Sequence, residues 1–274
     1  MEDRIMISEH REKFFSESQE MPFVSREAAA VENGVILAYQ DAEARGNMYL
    51  FLASVYLRPP NQALVRHITA RDFLKELSWL FGIEALGHLK KIATTGHCTK
   101  NVAALKQDYM DLFAVPTGRY VTPFEDVYRE KTVEGKQERG PLMGERAVAV
   151  RRIYREAGAE MDRDCKELPT HIGVELSFMS FLCEREAEAI RHEESDALLN
   201  QMEKMVMDSM RYRELQIRFL QEHLNAWFPQ LCQSIQVNAK SQFYKGLTLI
   251  AEEFLAQDTA ALLAQDDSEK HMLT

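Results

Sequence analysis

Glycine and proline are scarce in this chain. Twelve glycines and eight prolines punctuate 274 residues, too few for the many turns of an all-β or α/β protein of that length. Cysteine is scarce too. Cys98, Cys165, Cys183 and Cys232 form no CxxC pair, and no histidine joins them at zinc-ligand spacing. They read as free thiols of a reducing cytoplasm. Long apolar runs are missing. The longest, "MYLFLASVYL", falls far short of the ~20 residues of a membrane span, so no stable membrane insertion is expected. The first residues, "MEDRIMISEHREKFF", lack the apolar core and cleavage site of a secretory signal.

An excess of positive charge is also absent. The formal charge is −10, which argues against a protein that works by neutralising nucleic-acid phosphates and against docking on an anionic membrane. A basic peptide would be attracted instead. The chain has no GxGxxG, HExxH or GxSxG. "EGKQ" at Glu134 to Gln137 lacks the glycine spacing of a phosphate-binding loop. The expectation is a cytoplasmic protein with no bound cofactor or metal and no catalytic residues.

What fills the chain is helix formers. Leu, Ala, Glu, Met and Arg recur, and they lose little rotamer freedom in a helix. Residues 1–24 read as a flexible extension, with Ser25 as a helix cap. Two helices follow, "REAAAVENGVILAYQ", weakened by Gly34, and "AEARGNMYLFLASVYL", stopped by Pro59 and Pro60. In "ARDFLKELSWLFG" one face carries Phe73, Leu74, Leu77, Leu80 and Phe81, with Trp79 one step off it and Gly82 as terminator. "CTKNVAALKQDYMDLFAVP" ends at Pro116.

Residues 116–144 hold no sustained helical period apart from one turn after Pro123, and no credible hairpin, and read as a long mobile loop. "ERAVAVRRIYREAGAEM" closes near Gly158. "THIGVELSFMSFLCEREAEAIRHEE" has an apolar stripe wide enough for a central helix. The next helix starts at a cap on Ser195 or Asp196 and is stopped by Pro229. A last one reaches about residue 264, and 266–274 form a polar tail. About nine helices are expected, in one all-α domain over 25–265.

Four segments together resemble a known family. They are "YMDLFAVP" from Tyr109, "TPFEDVYRE" from Thr122, "AVRRIYREAG" from Ala149 and "ELPTHIGVELSFM" from Glu167. Their order and spacing resemble the TorD/DmsD/NarJ-type redox-enzyme maturation chaperones, over roughly residues 45–255. That family shows a Pro-x-Glu-Ser-Val-Tyr-like loop and a Glu-x-Pro-Asp-His signature opening a long helix. This chain departs twice: Asp126 stands at the loop serine and Thr170 at the signature aspartate.

The resemblance implies an all-α fold of two helical subdomains joined by a hinge, monomeric or domain-swapped as a dimer, without catalysis. It implies binding of the twin-arginine leader, or another terminal segment, of the apo catalytic subunit of a molybdenum oxidoreductase. A basic stretch followed by an apolar run calls for an apolar groove with acids at one end. Candidate acids are Glu125, Asp126 and Glu167, and candidate groove aromatics are Phe124, Tyr128 and Phe178. Pro169, Thr170, His171 and Glu175 complete the candidate binding residues.

Local readings stand beside these roles. Phe124 and Tyr128 could anchor the loop, Glu167 could offset a helix dipole, and Pro169 could occupy a first helical turn. His171 could bond a carbonyl. His171 and Glu175, one turn apart, could instead serve acid–base or metal chemistry in an all-α enzyme. A scaffold or adaptor subunit is the third alternative.

Overall fold

The structure, a computed structural model, describes residues 26–95, 102–116, 118–129, 131–133, 136–138, 140–162, 164–191 and 199–272. The extension at 1–24, the Ser25 cap, the Ser195 or Asp196 cap and Cys98 lie outside the described residues. The fold is all-α, as expected. The chain runs α1 (Arg26–Leu57), α2 (Gln62–Ile68), α3 (Arg71–Leu80), α4 (Ile83–Thr95) and α5 (Val102–Tyr109). A π-turn, Met110–Ala114, extends α5 toward Pro116. After α6 (Glu125–Tyr128) comes a short antiparallel pair, β1 (Lys131–Val133) with β2 (Lys136–Glu138). Then come α7 (Glu145–Glu156), α8 (Ile172–Arg191), α9 (Leu199–Phe219), α10 (Asn225–Asn238) and α11 (Gln242–Met272).

α8 is the central helix. Between Ile172 and Met179 every residue is buried, the condition of a helix packed on all sides. α1 crosses it antiparallel, and two glycines permit the close approach. A Cβ on Gly173 would lie 2.4 Å from Leu57 Cγ, and one on Gly46 would lie 3.1 Å from Cys183 Cβ. Ser180 Oγ also donates to the Gly46 carbonyl at 2.9 Å. α9 packs on α8, while α11 packs on α4 and α10. The buried apolar side chains of these helices form one continuous cluster.

A polar network lies inside this bundle. Arg45 of α1 donates to Glu186 Oε2 of α8 and to Gln216 Oε1 of α9, each at 2.6 Å. Its Nη1 also lies 3.5 Å from Asp258 of α11. Arg213 Nε and Gln216 Nε2 donate to Glu186 at 3.0 and 2.8 Å. Four helices are thereby held in one register by charges paired across elements, with Arg45 Nε also bonded to Asp41 of its own helix at 2.9 Å.

Several local expectations hold. α1 stops before Pro59, and α7 ends on Gly158, whose φ of 76° lets Ala159 N–H reach the Tyr154 carbonyl at 2.8 Å.

Others are corrected. The two helices read on either side of Asp41 are one, because α1 lies along α8 and that packing outweighs the cost of two interior glycines, Gly34 and Gly46, about 1 kcal/mol each. Pro229 lies inside α10. The π-turn Leu220–Leu224 precedes it, where Asn225 N–H reaches five residues back to Leu220, so α9 and α10 run on without a stop. Leu80 faces solvent, since the chain turns extended at Phe81 and buries that ring instead. Gly82 has no left-handed φ; its N–H donates to the Glu253 carboxylate at 2.9 Å. The connection 116–144 carries α6 and the short β pair, the hairpin that the pattern did not show. The polar stretch from Asp266 continues α11 as helix to Met272.

Candidate functional site

The two signature stretches meet. Phe124 and His171 pair in an antiparallel bridge. On either side of it Glu125 N–H donates to the Thr170 carbonyl and Ile172 N–H to the Pro123 carbonyl, each at 2.9 Å. The loop before α6 is therefore stitched to the lead of α8.

Local chemistry shapes that lead. Pro169 is the second residue of a turn closed by His171 N–H to the Leu168 carbonyl at 3.0 Å, a position its fixed φ suits. It precedes α8 and is not part of its first turn. Its carbonyl accepts from the Tyr154 hydroxyl at 3.0 Å. His171 then caps α8. Its Nδ1 accepts from Gly173 N–H at 3.0 Å, while its own carbonyl accepts the first helical N–H groups, the arrangement of an N-cap residue. Burial lowers its pKa to about 4, so the ring is neutral and its Nε2 carries the proton.

The acids of the signature lie inward. Thr170 Oγ1 donates to Asp126 Oδ2 at 2.6 Å. Glu125, 0% exposed, has its Oε2 at 2.8 Å from His223 Nδ1, in the π-turn before α10. Arg129 Nη1 lies 3.6 Å from Glu125 Oε1 and donates to the Glu222 carbonyl at 2.9 Å. Glu175 Oε2 accepts from Trp227 Nε1 of α10 at 3.0 Å. Burial, then the neighbouring Glu125 carboxylate, pushes the pKa of Glu175 well above the ordinary value. Glu125 Oε1 and Glu175 Oε1 both lack a donor among the described hydrogen bonds. The protonated carboxyl of Glu175 is the donor this pair of buried neighbours otherwise lacks.

The candidate aromatics divide. Phe178 is a core residue between Tyr154 and Phe219, with centroids at 4.3 and 4.9 Å. Phe124 is half-buried edge-on to His171, at 5.3 Å. Tyr128 leans on Trp227 at 5.4 Å. Its outer side lines a cleft of about 410 Å³ between this loop and α10, shared with Tyr120, Thr122, Gln230, Gln233 and Ser234.

Glu167 is the one signature acid that reaches the surface, its side chain 41% exposed and its Oε2 at 3.9 Å from His171 Nε2. Burial, then the nearby Glu167 carboxylate, raises the pKa of the Tyr120 hydroxyl. Glu167 does not line the cleft, but its charge acts on Tyr120, which does. The opposite end is fixed by Arg119, which bonds Asp108, Asp111 and the Asn238 carbonyl.

His223, Trp227 and the α10 amides were missed by reading the sequence. His223 stands in "QEHL", where nothing in the local pattern says that it meets an acid about a hundred residues away. The His171–Glu175 pair offers no open reactive face: each side chain is buried and committed to Gly173 or Trp227. Among the described residues no group of three or more His, Cys, Asp or Glu could hold a metal ion. None of the described helices is long and apolar enough to cross a membrane.

The fold and this pair of stitched loops define an all-helical protein organised around a closed buried core, with a peptide-sized cleft beside it. A family model described as "Nitrate reductase delta subunit" matches residues 84–233, a span that holds both loops and His223. The chain belongs to that family, the NarJ/TorD-type chaperones. Among its relatives is the perchlorate reductase assembly chaperone of Dechloromonas aromatica, 30% identical over 103 residues. That match covers 38% of this chain and 40% of the relative. The chaperone TorD of Colwellia psychrerythraea is 21% identical over 247 residues, 82% of this chain and 94% of its own length.

Proposed function

We propose that this chain is a cytoplasmic, non-catalytic assembly chaperone for a molybdoenzyme-type oxidoreductase. It binds the leader, or another terminal segment, of the apo catalytic subunit and holds that subunit back until its cofactor is inserted. The observation that carries the reading is the cleft beside the stitched loops, lined by Tyr120, Tyr128, Gln230 and Gln233, with Glu167 as the signature acid that reaches the surface. Family membership and the net charge of −10 support it.

The cleft suits an extended basic segment. The Gln230 and Gln233 amides each offer a donor and an acceptor to a peptide backbone. Tyr120 and Tyr128 supply flat faces, and Glu167 can take a guanidinium fork in two parallel hydrogen bonds. Val237, next to the cleft at the end of α10 and 77% exposed, gives an apolar run somewhere to continue. Glu125, Asp126, Thr170, His171 and Glu175 set the shape of the rim from inside.

The test is a pull-down of the tagged protein from its native host, with the cofactor content of the captured enzyme measured. The reading expects a catalytic subunit low in molybdenum. Capture only of the loaded, mature enzyme would favour a scaffold subunit and overturn it.

A further inference from the structure

Trp79 is 81% exposed, the most open of the large apolar side chains among the described residues. It is also firmly presented. Just past it the Leu80 carbonyl accepts from Gln257 Nε2 at 2.9 Å, and Gly82 N–H donates to both Glu253 oxygens. α3 buries Leu74 and Leu77 behind it. The ring is held out from a pinned helix end, where a free tryptophan would normally be turned inward.

Beside it runs a second cleft, of about 360 Å³, between α3 and α4. Arg71, Lys75 and Lys90 line it with the hydroxyls of Thr69 and Ser78 over an apolar floor of Leu74 and Ala93. No carboxylate lines it, in a chain whose net charge is −10. Arg71, Lys75 and Trp79 follow one another at four-residue steps, so they form one stripe along α3. Asp72 and Glu76 border Trp79 on its other side. The surface is therefore directional: cationic cleft, aromatic ring, anionic edge.

We propose that this α3–α4 face docks an acidic amphipathic segment of a partner protein, whose apolar side covers Trp79 and whose carboxylates enter the cleft. Trp and Arg are the side chains that most often anchor protein interfaces. An arginine fork selects carboxylates, and the anionic edge rejects the reversed orientation. This surface uses no residue of the cleft beside α10, and its charge preference is the opposite one.

The chain itself supplies the probe. Of its two tryptophans, Trp227 is fully buried, so a change in exposed-tryptophan emission reports Trp79. The full-length protein is titrated with a synthetic helical peptide carrying Glu at four-residue steps beside Leu. A lysine counterpart, anionic phosphatidylglycerol vesicles and inorganic phosphate are run in parallel.

The expected result is a saturable blue shift with the glutamate peptide. The double substitution Arg71→Glu with Lys75→Glu, at exposed positions, should weaken it by roughly tenfold or more. Trp79→Phe should abolish the optical signal while calorimetry still detects binding. No saturable response to the glutamate peptide, or an equal response to the lysine peptide, overturns the proposal. A shift with vesicles alone assigns the face to lipid and also overturns it. An effect of phosphate alone reduces the face to a small-anion site, with the same consequence.

Discussion

Thr170 Oγ1 donates to Asp126 Oδ2 across the two stitched loops, at 2.6 Å and out of contact with water. The two positions where this chain departs from the pattern of the chaperones it resembles are thus bonded to each other. Where the resembled pattern has serine in the loop and aspartate in the signature, this chain has aspartate and threonine, so hydroxyl and carboxylate stand on exchanged loops. The exchange makes a double-mutant prediction. Thr170→Asp alone sets two buried carboxylates together and should cost roughly 2–4 kcal/mol. Asp126→Ser alone removes the acceptor and should cost about 1–2 kcal/mol. The combined swap should recover most of the loss. Urea unfolding of the four proteins measures it; additive losses would mean that the two residues are not coupled.

Glu125 and His223 form a second fastening, between α6 and the π-turn that leads into α10. Both side chains are buried. Removing either partner strands the other, so Glu125→Ala and His223→Ala should each lower stability by roughly 3–5 kcal/mol. The double variant should cost much less than their sum. A peptide-binding loss in Glu125→Ala should accompany loosening of the loop, readable as faster amide exchange in residues 122–129.

His171 gives the acid side of the pH profile. Its folded pKa, lowered to about 4 by burial, lies below the ordinary 6.5. Between those values the unfolded chain takes up a proton that the folded chain refuses. Stability should therefore fall as pH drops from 6.5 to 4, by up to about 3 kcal/mol from this residue. His171→Asn keeps a capping side chain and does not titrate, so its stability profile should be flatter over that window. Parallel profiles in urea titrations from pH 7.5 to 4 would contradict the assignment.

Glu175 works in the opposite sense. Its raised pKa means that the folded state holds a proton which the unfolded chain releases above the ordinary carboxylate range. This contribution is present below that range and is lost as pH rises through the raised value. Glu175→Gln retains an acceptor for Trp227 and a donor for Glu125 without titrating. Its stability should decline less than that of the wild type as pH is raised from about 4.5, the ordinary value.

The α-helical class and the central α8 were legible because helical periodicity is a local property, and "VELSFMSFL" carries it within one element. The Gly158 terminator was legible for the same reason. What escaped depends on distant partners. Nothing in the sequence says that Gly46 is where α8 comes close, until Cys183 is placed beside it. Glu186, within a run of charges, reads as solvated until Arg45 and Arg213 arrive from other helices. Glu125 reads as a groove acid and Glu175 as a partner of His171 until His223 and Trp227 close over them. The resemblance singled out two loops that the structure joins, but it could not say which of their carboxylates face outward. Burial leaves that task to Glu167.

The most direct measurement is a calorimetric titration of this protein with a synthetic leader peptide, an Arg–Arg pair followed by an apolar run. The same peptide is titrated into Glu167→Gln, and a Lys–Lys version into the wild type. The account predicts saturable one-to-one binding, weakened by roughly tenfold in Glu167→Gln and for the lysine peptide, which loses the bidentate fork. Acidification that protonates Glu167 should weaken it in the same way. An affinity unchanged by Glu167→Gln would remove Glu167 as the acid that takes the arginine pair, and the absence of any binding would contradict the leader-binding account itself.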